Sequence, residues 1–251
     1  MTSLVLFDNG THRNIFLEDF GRGQAVQANQ HLIVDGDQGM LLDPGGHKVY
    51  AKLLSEVLAQ LGPATLQHLF FSHQDPDVVA AANGWLMSTT AMAWTPVLWT
   101  RFIPHFGLDS LVADRLQPIA DEGMVLPLGT SKMLILPAHF LHSPGNCQVY
   151  DPVSRILYSG DLGGSFGTQY QEVSDFEGHI QFMLSFHQRY MTGNKALRVW
   201  AKMVRQLDIE MIVPQHGAFF RGSAMVAQFV DWCERLQCGI DLMPETYLIP
   251  K

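Results

Sequence analysis

Histidines and aspartates follow a short apolar segment in the first half of this chain. In the stretch LFFSHQDPD, His73, Asp75 and Asp77 occupy alternate positions directly after the apolar residues. Imidazole nitrogens and carboxylate oxygens at such short intervals are typical ligands of a metal ion. A carboxylate at Asp77 is also typical of the first turn of a helix, where it meets free backbone N–H groups. The stretch therefore predicts a metal site, with a helix start as the alternative role of Asp77.

Three further apolar segments lead into residues of the same types. MLILPA leads into His139 and His142, RILYSG ends before Asp161, and EMIVPQ ends before His216. Taken one at a time, each has an ordinary interpretation as a turn aspartate or as a histidine that hydrogen-bonds the backbone. A loop at the end of a strand holds its side chains rigidly, and active sites are commonly built on such loops. We expect the four strand ends to converge on one site.

The elements that must position these residues alternate between strands and helices. Residues 1–50 alternate or run apolar, with a glycine-containing turn typical of a hairpin. The spacing of apolar residues predicts helices over the following ranges: 49–62, 75–88, 107–117, 194–207 and 223–236. Strands interleaved with helices indicate an α/β or α+β fold in which helices cover sheets. We expect residues 1–251 to form a single domain.

Composition limits the classes of function. Hydrophobic residues make up 47% of the chain, which excludes a disordered protein. The net charge is −8, and lysine and arginine form no stripe, so we expect no binding to nucleic acid. No apolar run approaches the roughly 20 residues that span a bilayer, and the N-terminus lacks the pattern of a secretory signal, so we expect no membrane association. The three cysteines fit a protein of the reducing cytoplasm.

The order and spacing of the motifs SHQDPD, AHFLHSPGN, YSGDLGG and VPQHG resemble the metallo-β-lactamase superfamily. Within it, they are most similar to the diiron domain of flavodiiron proteins and to its stand-alone oxygen-binding relatives (ODP), over a region from Gln27 to Gly217. The resemblance implies a four-layer αββα sandwich. It also implies ligands for two iron ions: His73, Asp75 and His142 for one, Asp77 and His216 for the other, and Asp161 as the bridge between them.

The ligand types distinguish this chain from the zinc hydrolases of the superfamily. Hydrolytic members typically read HxHxDH, which is rich in nitrogen ligands for zinc, whereas this chain reads HxDxDV from His73 to Val78. Three carboxylates around two divalent ions leave a formal charge of +1, which a bridging oxo or hydroxo group can balance. Such a site suits iron that binds O2, with zinc as a substitute metal. Because valine cannot ligate, we expect an open coordination position near Asp77 and His216.

Two departures from full-length flavodiiron proteins bear on function. Asp75 stands where those proteins usually have glutamate, and we expect no C-terminal flavodoxin domain. The expected function is therefore a non-haem diiron protein that binds O2 as a sensor or carrier, or one that reduces O2 or NO with external electrons. The expected partners are a redox protein or a signalling protein, together with a second copy in a homodimer. The alternative function is a zinc hydrolase of esters, lactones or thioesters.

Two residues are candidates for a role beside the metals. His139, three residues before His142, either hydrogen-bonds a ligand or a bound gas, or is an ordinary polar residue of the loop. Tyr190 belongs to the segment where the resembled family covers its site. It either donates a hydrogen bond to bound oxygen or packs in the core.

Overall fold

The computed structural model describes residues 3–17 and 26–250. Its strands are β1 Ser3–Asp8, β2 His12–Leu17, β3 Gln30–Asp35, β4 Gln38–Leu42, β5 Thr65–Phe70, β6 Met92–Pro96, β7 Leu116–Ile119, β8 Met124–Leu128, β9 Ser131–Pro137, β10 Cys147–Asp151, β11 Ile156–Gly160, β12 Met211–Pro214 and β13 Phe220–Arg221. Its α-helices are α1 His47–Leu61, α2 Pro76–Val79, α3 Ala82–Ser88, α4 Phe176–Tyr190, α5 Asn194–Val204 and α6 Ser223–Arg235. Short 3₁₀ helices occupy Val97–Trp99, Ile103–Phe106, Ala113–Arg115 and Gly239–Leu242. Within these described ranges, none of the helices combines the length and the apolarity needed to cross a membrane.

The strands form two mixed sheets. In the first sheet, β1 to β7 lie side by side in chain order, antiparallel from β1 to β4 and parallel from β4 to β7. The second sheet has the order β13-β12-β11-β10-β9-β8 and is antiparallel except for the parallel pair β11 and β12. In this topology β9, β11 and β12 all end at the same edge of the second sheet. The loops after these strands are therefore neighbours.

Helices cover the outer face of each sheet and give four layers. Successive residues of β3 face opposite sides: Ile33 packs between the sheets, whereas Leu32 and Val34 pack in the core under α1 and α3. Strand β12 behaves in the same way, with Val213 between the sheets and Ile212 in the core under α4, α5 and α6. Strands buried on both faces are apolar at successive positions, as observed here. The expected αββα sandwich is confirmed.

Most of the predicted helices are present. The helices predicted over 49–62, 194–207 and 223–236 correspond to α1, α5 and α6. The segment 75–88 forms two short helices instead of one, because a turn at Ala80 and Ala81 separates α2 from α3.

The helix predicted over 107–117 is wrong. Only a 3₁₀ turn at Ala113–Arg115 forms there. Side chains satisfy the backbone instead: Oδ1 of Asn83 accepts the N–H of Asp109 at 2.9 Å, and Oδ1 of Asp109 accepts the N–H of Leu111 at 2.8 Å. Aspartate and asparagine compete with helices through such local bonds.

Candidate metal centre

Three of the predicted ligands converge on the carboxylate of Asp161 at one end of the sandwich. Nε2 of His142 lies 3.1 Å from Oδ2 of Asp161. Nε2 of His73 and Nε2 of His216 lie 3.7 Å and 3.5 Å from its Oδ1. These histidines come from three different loops, and each turns Nε2 toward the same carboxylate. Asp161 is the centre of the cluster.

The remaining two carboxylates divide the cluster into two halves. Oδ2 of Asp75 lies 3.3 Å from Nε2 of His142 and 3.6 Å from Nε2 of His73. Oδ2 of Asp77 lies 3.7 Å from Nε2 of His216. The structure thus brings all six predicted ligand residues close together, and the assignment of each to one of two iron ions stays a prediction. Asp77 also occupies the first turn of α2, as expected for a residue at a helix start, and its role as a metal ligand stays a prediction.

Two buried atoms of the cluster lack a hydrogen-bond partner among residues 3–17 and 26–250. They are Nε2 of His142 and Oδ1 of Asp161. Buried polar atoms are nearly always paired, so each unpaired one needs an explanation. One ligand atom each from His73, His142 and Asp161 lie within 4.8 Å of one another. Imidazole and carboxylate atoms that point at one another across a shared centre fit a metal ion, and their mixed oxygen and nitrogen character fits iron.

The electrostatics of the cluster favour charged side chains. Burial alone would lower the pKa of His142, but Asp161 and Asp75 outweigh burial and raise it to about 10. Burial likewise opposes protonation of His216, yet Asp161 and Asp77 raise its pKa to about 9. Burial would raise the pKa of Asp161, but the surrounding histidines hold it well below its ordinary value. Without a metal, protonated imidazoles balance the carboxylates, so metal binding at this site releases protons.

Hydrogen bonds orient the ligands in the loop after β5. Oγ of Ser72 lies 2.8 Å from Nδ1 of His73, which leaves Nε2 of the same ring for the cluster. The backbone N–H of Ser72 donates to Oδ1 of the buried Asp43 at 2.8 Å, and burial raises the pKa of Asp43 to about 6. Nε2 of Gln74 donates to Oδ1 of Asp75 at 2.8 Å and leaves Oδ2 facing the histidines. Supporting bonds of this kind orient metal ligands.

His216 is held by the segment directly before β3. Its Nδ1 lies 2.5 Å from the carbonyl oxygen of Gln27, and the side-chain Oε1 of Gln27 accepts the N–H of Gly217 at 2.7 Å. Nδ2 of Asn29 donates to the carbonyl oxygen of Gly217 at 3.0 Å. Gly217 has a φ of +73°, and a Cβ there would lie 2.1 Å from Oγ of Ser165, so this turn requires glycine.

The loop that carries Asp161 is held by His187 of α4. Nε2 of His187 accepts the N–H of Gly163 at 2.9 Å, and its Nδ1 lies 2.9 Å from the carbonyl oxygen of Met183. Burial lowers the pKa of His187 to about 4, so the ring is neutral and has one donor and one acceptor. Sequence analysis missed this role, because an isolated histidine in a helix forms no motif with the loop it supports.

The cluster opens into a cavity of about 1130 Å³. Phe166, Phe186 and Tyr190 form an aromatic wall beside it. Phe186 stacks on Tyr190 with 4.9 Å between ring centroids, and the Tyr190 ring lies 5.7 Å from the ring of His142. Tyr190 is 54% exposed, so it belongs to the wall of the cavity and not to the core. Its action as a hydrogen-bond donor to bound oxygen stays a prediction.

Two other expected neighbours of the metals lie elsewhere. Nε2 of His139 lies 2.8 Å from the carbonyl oxygen of Asp121, and the His139 ring lines a second, separate cavity. Val78 is fully buried and packs in the core under α1 and α3. Among the described residues, neither His139 nor Val78 lines the cavity of the metal centre. The open coordination position expected near Asp77 and His216 stays a prediction.

Comparison with known proteins identifies the family. The family described as ODP family beta lactamase matches residues 26–217. The solved structure titled peroxy diiron species of chemotaxis sensor ODP is 39% identical, with a TM-score of 0.86 over 96% of this chain and 98% of that chain. The apo state of chemotaxis sensor ODP from T. denticola is 38% identical, with a TM-score of 0.83 over 96% and 97% of the two chains.

More distant relatives are longer proteins. The anaerobic nitric oxide reductase flavorubredoxin of Aeromonas hydrophila is 24% identical over 83% of this chain and 43% of its own length. Diflavin flavoprotein A 1 of Synechocystis sp. is 27% identical over 88% of this chain and 39% of its own length. This chain thus spans about two-fifths of the length of these relatives. From the family match over most of the chain and the 39% identity over nearly its whole length, the chain belongs to the ODP family of beta-lactamase domains.

Proposed function

We propose that this protein is a non-haem diiron protein that binds O2 as an oxygen sensor or carrier. The observation that carries the proposal is the convergence of three imidazoles and three carboxylates around Asp161, with buried atoms left unpaired. The similar chemotaxis sensor ODP, whose structure is titled a peroxy diiron species, supports both the metal and the ligand. A sensor also needs a signalling partner, which we propose as the class of protein that this chain contacts.

Each half of the cluster would hold one iron ion. His73, Asp75 and His142 form one set of ligands, Asp77 and His216 form the other, and Asp161 joins them. When bound, the two irons supply a redox-active centre with affinity for O2. We propose that Tyr190, whose ring borders both His142 and the cavity, donates a hydrogen bond from its hydroxyl to a ligand held there.

A second candidate function is the reduction of O2 or NO with electrons from a separate protein. The observation that favours it is the cavity, which at about 1130 Å³ far exceeds the needs of a diatomic molecule. Lys48, Lys52 and Arg189 line it on a chain of net charge −8. This mouth suits an anionic redox group from a donor protein. The hydrolase alternative has less support, because positions 75 and 78 offer no nitrogen ligand.

Metal analysis with optical spectroscopy tests the proposal. Protein produced with added iron and kept anaerobic should hold about two iron ions per chain, and its visible absorption should change on aeration. Stoichiometric zinc without iron would overturn the diiron assignment. Oxygen uptake in the presence of excess reductant separates the two candidates: a sensor or carrier stops once its sites are filled, whereas a reductase continues until the reductant is consumed.

A further inference from the structure

A second cavity, of about 460 Å³, lies beside the loop that leads into His142. Its volume is within the range of pockets that bind ligands. One wall is the loop Pro137–Leu141, and α5 contributes Ala196, Val199 and Met203 to the other. Apolar side chains are left open at its edge, since Phe140 is 48% exposed and Val199 is 65% exposed. A cavity lined mainly by apolar side chains is a candidate site for an apolar ligand or chain segment.

The C-terminal segment Met243–Pro250, which we call the arm, has matching chemistry. Tyr247, Leu248 and Ile249 are 77%, 92% and 90% exposed. Three consecutive apolar side chains in water are unfavourable, so burial against an apolar surface would stabilise them. The arm also carries Glu245, which is opposite in charge to Lys195 at the cavity. The chain therefore contains an apolar cavity and an apolar segment that fits its chemistry.

The arm starts next to the cavity but leads away from it. Ile240, three residues before the arm, lines the cavity, whereas no described residue of the arm does. Met243 is extended, with φ −67° and ψ 141°, and the following Pro244 keeps it extended. The eight residues of the arm reach about 26 Å when extended. Because no described residue of the arm enters the cavity of its own chain, the arm is free to reach a neighbouring molecule.

We propose that two copies of this chain exchange arms, so that the arm of each fills the second cavity of the other. Such an exchange is reciprocal, and a closed two-fold dimer satisfies both arms and both cavities at once. Each docked arm would contact Phe140 and Leu141, the residues directly before the candidate ligand His142.

Light scattering coupled to gel filtration tests the exchange. The wild type should have twice the 28.1 kDa mass of one chain at the concentrated end of a dilution series. A chain that ends at Leu242, and a full-length Val199→Glu variant with a charge at the cavity, should each be monomeric. Leu111→Glu is the matched control, because Leu111 is 77% exposed and lies outside the cavity, and it should stay dimeric. A monomeric wild type, or a dimer that survives loss of the arm, would overturn the proposal.

Mixing the two monomeric variants separates exchange from any other dimer. The shortened chain keeps an open cavity, and Val199→Glu keeps its arm, so the mixture should form a heterodimer visible by native mass spectrometry. Absence of this heterodimer, when circular dichroism shows both variants folded, would exclude arm exchange.

Discussion

Asp161 is the residue on which the candidate centre depends most. Three histidine nitrogens lie within 3.7 Å of its carboxylate, whereas Nε2 of His142 lies near the carboxylates of Asp161 and Asp75, both in one half of the cluster or at its bridge. We therefore expect Asp161→Ala to lose more iron than His142→Ala, because the carboxylate serves both halves of the cluster. Iron content after desalting is the measurement, with Asp208→Ala as the control, since the Asp208 side chain is 76% exposed on the surface. Wild-type iron content in Asp161→Ala would show that Asp161 is not the bridge.

Gln27 is a positioning residue for His216. Its side-chain Oε1 accepts the N–H of Gly217, and its Nε2 donates to Oδ1 of Asn29 at 2.6 Å. Loss of such supporting bonds typically weakens metal binding, and we expect Gln27→Leu to lower iron affinity by about 10-fold. Gln27→Glu keeps an acceptor for the Gly217 N–H and should bind more tightly than Gln27→Leu. Titration of metal-free protein with ferrous iron against a competing chelator measures both. Equal affinities for the two variants would contradict the role of this hydrogen bond.

The candidate ligands could be predicted from the sequence, whereas their supports could not. Each candidate ligand lies in the segment after an apolar strand, whereas the division of the ligands between two iron ions came only from the resemblance to flavodiiron proteins. Gln27 and His216 are 189 positions apart, and no pattern in either segment refers to the other. The orientation of His139 could not be predicted from the sequence either. It depends on the path of its loop, which is set by backbone hydrogen bonds such as that from the N–H of Phe140 to the carbonyl oxygen of Ser143.

Among the elements, helix α4 shows where hydrophobic periodicity fails. Its buried positions are Phe176, His179, Met183 and His187, which have helical spacing. Because two of the four are histidines, the apolar stripe is interrupted, and the segment was not predicted as a helix. Tertiary contacts make histidine acceptable there: Tyr170 bonds to Nδ1 of His179 at 2.8 Å, and His187 bonds to Gly163.

The role of His187 in joining α4 to the Asp161 loop gives a stability prediction. His187→Leu keeps an apolar side chain in the core but leaves the buried N–H of Gly163 unpaired. We expect it to lower the free energy of unfolding by roughly 1–3 kcal/mol. His187→Gln retains an acceptor and should lose less. Urea denaturation of metal-free protein measures the change without the contribution of bound iron. His105→Leu, at an exposed position, is the control.

At the scale of the whole molecule, the two sheets are joined by buried charges at the end opposite the metal centre. Nδ1 of His12 lies 3.0 Å from Oδ1 of Asp35 in the first sheet, and its Nε2 lies 2.7 Å from Oδ2 of Asp151 in the second. Asp35 also accepts the N–H of Ser131, the first residue of β9, at 3.0 Å. The network lies where β3 and β10 end, so it couples the layers without contact with the candidate ligands.

This network makes stability depend on pH. Burial would lower the pKa of His12, but Asp151 and Asp35 outweigh it and raise the pKa above the ordinary 6.5. Burial opposes ionisation of Asp35 and Asp151, yet His12 and other donors hold their pKa values below 3.8. The stabilisation from His12 is complete below pH 6.5 and is lost as pH rises through its raised pKa. The carboxylate contribution is present above pH 3.8 and is lost as pH falls through their lowered pKa values.

We therefore expect the network to stabilise the protein most between about pH 4 and pH 6.5. His12→Gln leaves two buried carboxylates without a cation and should cost about 3 kcal/mol in that window. The cost should shrink as pH rises above 6.5, because the stabilisation from protonated His12 is lost as pH rises through its raised pKa. Urea denaturation of the metal-free wild type and variant at several pH values measures the difference in their free energies of unfolding. The histidines of the metal centre contribute equally to both proteins, so their contributions cancel in this difference. A cost that stays constant between about pH 5 and pH 9 would show that the pKa of His12 is the same in the folded and the unfolded protein, and a cost that rises from about pH 5 to pH 7 would show that folded His12 is neutral.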